Sequence, residues 1–62
     1  MNDKELNNRA QIQMASAGVK ISAAQSSVAR HQYNSAAEWL EQAAERVKQA
    51  RALIGRIGEE ND

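Results

Sequence analysis

From Leu6 to Val28 the apolar residues Leu6, Ala10, Met14, Ala17, Ile21, Ala24 and Val28 recur at steps of four and three, and the chain has no proline to interrupt them. A helix turns once in 3.6 residues, so that spacing gathers all seven onto one stripe of a single long helix. Few glycines and abundant Ala, Gln, Glu, Arg and Lys favour the same conformation. At the start, Asn2 or Asp3 can accept hydrogen bonds from first-turn amides, and Asp3 and Glu5 complement the positive end of the helix dipole. The spacing predicts helix 1 over about residues 3–30, roughly 42 Å long.

A break follows at residues 31–34, His31, Gln32, Tyr33 and Asn34. Ser35 with Glu38 then reads as a capping box, the hydroxyl accepting from the amide three residues on and the carboxylate reaching back. Helix 2, predicted over about residues 35–57, carries Ala36, Leu40, Ala43, Val47, Ala50, Ile54 and Ile57 in a second stripe of the same spacing. Glu38, Glu41 and Glu45 in its first half and Arg46, Lys48, Arg51 and Arg56 in its second match the dipole at both ends. Gly55 or Gly58 supplies a left-handed stop, and residues 58–62 are expected to be a frayed acidic tail. Gly18 costs helix 1 about 1 kcal/mol relative to Ala. A three-helix alternative breaks there, but the stripe runs through Gly18 in phase and no turn cluster accompanies it.

The expected fold is all-α: one domain over residues 1–62, a two-helix antiparallel hairpin of coiled-coil type that dimerises into a four-helix bundle. Folding helix 2 back about Gln32 sets Val28 against Ala36, Ala24 against Leu40, Ile21 against Ala43, Ala17 against Val47, Met14 against Ala50 and Ala10 against Ile54. Each large side chain then meets an alanine, which fills the space between close helices. Leu6 and Ile57 remain as a large pair at the open end, where the helices splay or meet a second subunit.

At 62 residues the core is small, and below roughly 70–80 residues a single core rarely supplies more than ~3–5 kcal/mol. Cysteine is absent, and His31 is the one histidine, so neither a disulfide nor a thiolate or histidine-rich metal site can supplement it. Oligomerisation or partner binding remains. Eight acidic and eight basic side chains cancel, which removes a bulk field for nucleic acid or anionic membrane. No apolar run reaches the ~18–20 residues of a membrane span, and Met1 to Glu5 lack a secretory apolar region, so a cytoplasmic protein is expected.

Some side chains are left unexplained by the stripes. Ile12 and Val19, flanked by Ala15 and Ala23, form a second column about 170° round helix 1. Trp39 and Leu53 lie two heptads apart beside the helix 2 stripe, with Arg46 between them. These residues, with Ile57, are the expected partner or oligomer interface; a Trp beside Leu and Arg has the composition of a binding hot spot. Scattered surface aliphatics are the plainer alternative for helix 1, and shielding of the stripe edge for helix 2. Tyr33 is expected to pack its ring under the turn with a wet hydroxyl, and His31 to be solvated or capping rather than a ligand. Glu38, Glu41 and Glu45 share a helix face turned to water, where no pocket is expected. With no phosphate loop, no dinucleotide turn and no His–Glu pair at metal spacing, the chain is expected to be no enzyme and to hold no metal or cofactor.

The segment from Tyr33 to Ala43 resembles the second helix of a tetratricopeptide unit, with Tyr33 and the following alanines at that family's spacing. The resemblance covers about a third of the chain; His31 stands where the family has Gly, and no second repeat exists. It implies shared helix-hairpin packing. In length and layout the chain also looks like the plasmid-encoded Rop family of two-helix hairpins, which dimerise into four-helix bundles and bind RNA. The functional expectation is a small regulatory or adaptor protein, of the size common in phage and plasmid accessory genes, working by protein–protein contact as a homo-oligomer or on a host protein. The alternative is RNA binding by a Rop-like dimer, with Arg9, Lys20 and Arg30 contacting phosphates; a symmetric dimer would double those three charges. Membrane-surface binding is weaker still, because Arg and Lys do not line the apolar edges.

Overall fold

The computed structural model describes residues 2–58. Two helices, α1 (Asp3–Ala29) and α2 (Tyr33–Arg56), pack against each other as a hairpin, and the Cα atoms span 49 × 13 × 11 Å. α1 opens on Asn2, whose side chain accepts from the Glu5 amide at 2.8 Å. It then runs unbroken through Gly18, so the three-helix alternative does not hold. Around Gly18 there is open space, and the in-phase stripe on either side outweighs its propensity cost.

The turn is tighter than the sequence suggests. α1 ends at Ala29 and α2 begins at Tyr33, so the connection is Arg30, His31 and Gln32 rather than residues 31–34. The Gln32 amide donates to the Ser27 carbonyl at 2.8 Å and the His31 amide to the Val28 carbonyl at 2.9 Å, the paired bonds of a Schellman close. That close needs a left-handed residue, and His31 takes it with φ 61°. Ser35 is therefore inside α2, and the expected capping box does not start the helix. The position before the helix belongs to Gln32, whose side chain makes no cap bond. At the other end Ile57 is extended and Gly58 has φ 87°, while Gly55 stays helical. Of the frayed tail expected over residues 58–62, Gly58 is instead tied to Asp3 through its amide, and residues 59–62 lie outside the described residues.

The register also differs from the one set about Gln32. Arg46 Nη1 donates to Gln13 Oε1 at 3.3 Å, and Lys20 Nζ stands 5.2 Å from the centroid of the Trp39 ring. Both pairs centre between Ala29 and Arg30, about one helical turn from the expected alignment. The Gly58 amide donates to Asp3 Oδ1 at 3.3 Å, which ties the open end in the same register, and Leu6 beside it is buried. That end is therefore closed, not splayed.

In this register Ala10, Ala17 and Ala24 run level with Ala50, Ala43 and Ala36, and all six are buried. Alanine faces alanine along the seam, where the expectation set alanine against a large residue. The physical reason is backbone approach: a column of methyl groups on both helices lets the axes come close along their whole length. The large stripe residues are displaced sideways. Met14, Ile21, Val28, Leu40, Val47 and Ile54 are each between 43% and 50% exposed. Beside the alanines, the seam is completed by Leu6, Gln13, Lys20 and Ser27 from α1 and by Trp39, Arg46 and Leu53 from α2, all buried or half-buried. At ~100° per residue, the middle of each apolar stripe is turned about 50° away from the neighbouring helix.

Candidate interaction surfaces

Because the two helices are antiparallel, that rotation carries both stripes to the same broad side of the hairpin. Met14, Ile21 and Val28 form one column at heptad spacing, and Leu40, Val47 and Ile54 form the other. Gln11, Gly18 and Gln25 flank the first column and Ala37, Ala44 and Arg51 the second, so the columns themselves are aliphatic and Arg51 is the charge beside Ile54 near the open end. The stripe pattern alone places these six aliphatics in the hairpin interior, whereas each is about half exposed. The available signal was the heptad recurrence of alanine at 10, 17, 24 and at 36, 43, 50, which marks the closest line of approach and leaves the larger residues beside it.

The opposite broad face is mixed. Seven-residue spacing from the seam places Arg9, Lys20 and Arg30 of α1 there, together with Arg46 and Arg56 of α2. Trp39 is half-buried on this side under the Lys20 ammonium, a cation–π contact. Ser16 and Ala23 are half-covered next to it, whereas Ile12 and Val19 on the rim of α1 are 65% and 68% exposed. A shallow dent crosses the seam near the open end, lined by Arg9, Ile12 and Gln13 of α1 and by Gln49, Ala52 and Leu53 of α2. On the far rim of α2, Glu38, Glu41, Gln42 and Glu45 surround an open polar depression, where no pocket was expected.

The interface residues expected from sequence therefore separate. Ile12 and Leu53 meet in the dent. Val19, Ala23 and Trp39 lie on the same face toward the turn, Ala15 is exposed on the outer edge of α1, and Ile57 is half-buried at the end of α2. The structure thus joins Arg9 to the dent and Lys20 to Trp39, and leaves Arg30 exposed at the turn. At that turn His31 Nδ1 is 2.9 Å from the Tyr33 hydroxyl, with the rings edge to face at 6.0 Å. Tyr33 is 60% exposed, so its ring lies against His31 and solvent rather than beneath the turn.

Among the described residues no cluster of three or more His, Cys, Asp or Glu side chains could hold a metal ion, and no helix is long and apolar enough to cross a membrane. What this chain offers chemically is two contrasting surfaces, one mainly aliphatic, the other of mixed charge with a shallow dent. Comparison with known proteins finds no match among family models, curated proteins or solved structures.

Proposed function

We propose that the chain is a small non-enzymatic adaptor or regulatory protein of the phage or plasmid accessory kind. It acts in the cytoplasm by protein–protein contact, as a homodimer whose two hairpins meet on the aliphatic face to form a four-helix bundle. The observation that supports this reading best is the common rotation of both stripes. In a square bundle the central axis lies on a diagonal, about 45° from the line joining neighbouring helices. Stripes turned about 50° from the hairpin seam, both toward one side, point at such an axis.

Energetics favour the same partner. Full burial of an aliphatic side chain of this size yields roughly 1.5–3 kcal/mol, and six of them are still about half exposed in the single hairpin. The seam itself buries mostly methyl groups, a poor offset for the ordering entropy of two long helices. A second copy presents the same aliphatic columns and covers them with matching apolar surface, Arg51 lying at the flank of the second column.

Sedimentation equilibrium at about 10–100 µM tests the dimer, where mass action favours association. The expected mass is twice the 6.8 kDa of the chain. Ile21→Asp and Val47→Asp each place a carboxylate on the aliphatic face and are expected to give monomers of reduced helicity. A wild-type monomer that unfolds cooperatively overturns the dimer.

Nucleic-acid binding is the second reading, and the sharing of one face by Arg9, Lys20, Arg30, Arg46 and Arg56 favours it. Against it stand a net charge of zero and the glutamates on the α2 rim. Absence of salt-dependent binding to hairpin RNA or duplex DNA at low ionic strength removes it.

A further inference from the structure

Two hairpins can meet on their aliphatic columns in two ways. Turned about the long axis, the second copy sets its α2 against α1, with both turns at one end. Turned end for end, it sets α1 against α1 and α2 against α2, with the turns at opposite ends. Every neighbouring pair of helices runs antiparallel in both, so the helix dipoles do not choose between them. The flanks of the columns do.

At about 100° per residue from the alanine seam, Gly18 of α1 and Ala44 of α2 stand about 100° round, where the helix of a second copy packs. The next positions outward, roughly 150° round, are Ala15 and Ser22 on α1 and Glu41 and Lys48 on α2. All six are exposed in the hairpin. The middle of the α1 flank is therefore uncharged, whereas the α2 flank carries one charge of each sign. Glu41 also shares its depression with Glu38 and Glu45, so a cation beside it relieves like-charge crowding.

We propose that the second copy is turned end for end, with α2 antiparallel on α2 about a two-fold axis beside Ala44, so that Glu41 of each copy meets Lys48 of the other. Charge complementarity selects this arrangement. Glu41 lies three residues before Ala44 and Lys48 four after, so an axis there brings each opposite the other, and two flanking pairs form at once. Turning about the long axis instead sets Glu41 and Lys48 against the uncharged flank of α1 and brings Lys4 toward Arg51, both positive, at the open end. Layer packing agrees. End for end, Ile21 and Leu40 stack on Met14 and Val47, and the exposed Tyr33 ring at the turn stacks on Ile54 at the open end, which evens the volume from layer to layer. The same axis crosses α1 within a turn of Gly18, and the open space around that glycine lets two α1 backbones approach. The arrangement rests on the dimer reading and specifies which surfaces of the two copies meet.

The chain has no cysteine, so introduced single cysteines report the arrangement. Ala44→Cys and Gly18→Cys are oxidised separately and as an equimolar mixture, at a concentration where the wild type sediments as a dimer, and the products are weighed by mass spectrometry. The end-for-end dimer brings the two Ala44 positions within the roughly 4.4–6.8 Å between Cα atoms that a disulfide requires. The long-axis dimer holds them on diagonal helices and sets Gly18 against Ala44. Ala44→Cys is expected to link to itself, with the mixed disulfide a minor product. Lys48→Glu is expected to raise the dimer dissociation constant about three- to tenfold, and Glu41→Lys in the same chain to restore it, with helicity unchanged. The proposal is overturned if the mixed disulfide predominates, if Ala44→Cys stays unlinked while the wild type is a dimer, or if the double reversal fails to restore association. A wild-type monomer overturns the dimer itself, whereas a dimer with the wrong disulfide overturns the arrangement alone.

Discussion

His31 is the one non-glycine residue with positive φ among the described residues, and it holds the position at which a Schellman close favours glycine. A β-carbon in that conformation costs roughly 1–2 kcal/mol, only part of which returns as unfolded-chain entropy when glycine replaces it. His31→Gly is therefore expected to raise stability by about 0.5–1 kcal/mol, read as a higher midpoint in urea denaturation at fixed protein concentration. The contact of His31 with the Tyr33 hydroxyl is exposed, so its loss subtracts little. An unchanged or lower midpoint would show that this contact, not the backbone, sets the balance at the turn. The sequence marked a break around His31, but its hand was not legible. Only the need to reverse the chain within three residues and satisfy the carbonyls of Ser27 and Val28 imposes φ 61° there.

Between the helices, the alanine column is what sets their spacing. Ala43 is 4% exposed and, in the observed register, level with Ala17. Ala43→Leu adds three carbons where two backbones approach, and overpacking of this kind costs about 1–3 kcal/mol. Thermal unfolding followed by circular dichroism is expected to show a loss of that size. A neutral result would mean that the helices separate without penalty and that the seam is loosely held. The same column explains why the expected register does not form. Setting large against small residues fills the seam of an isolated pair well, but it thrusts the axes apart at every large residue. Setting alanine against alanine keeps the axes close and moves Met14, Ile21, Val28, Leu40, Val47 and Ile54 to one side, a gain when something covers them. Helix 2 starts two residues before the Ser35 box for a related reason: the tight close leaves Tyr33 in helical geometry at once, and the Ala36 amide bonds the Gln32 carbonyl at 3.0 Å.

As a whole, the molecule is a thin slab with an aliphatic side and a side of mixed charge, and its stability is expected to depend on its own concentration. If unfolding is linked to dimer dissociation, each tenfold increase in protein concentration adds about 1.4 kcal/mol per dimer and raises the melting temperature. A melting temperature constant over two decades of concentration would contradict the bundle. Much of this architecture was determined by sequence alone. The four-three spacing, the absence of proline and the polar break at residues 31–34 dictate two long helices and an antiparallel return, because helical periodicity is a local property of the chain. The column of Ile12 and Val19 was likewise visible as unexplained by the stripes. The register, the side to which each stripe turns and the meeting of Ile12 with Leu53 were decided only by the tertiary structure. A stripe specifies which face of a helix is apolar, whereas the rotation of that face relative to its neighbour is set by how closely two backbones can approach, and that depends on both helices at once.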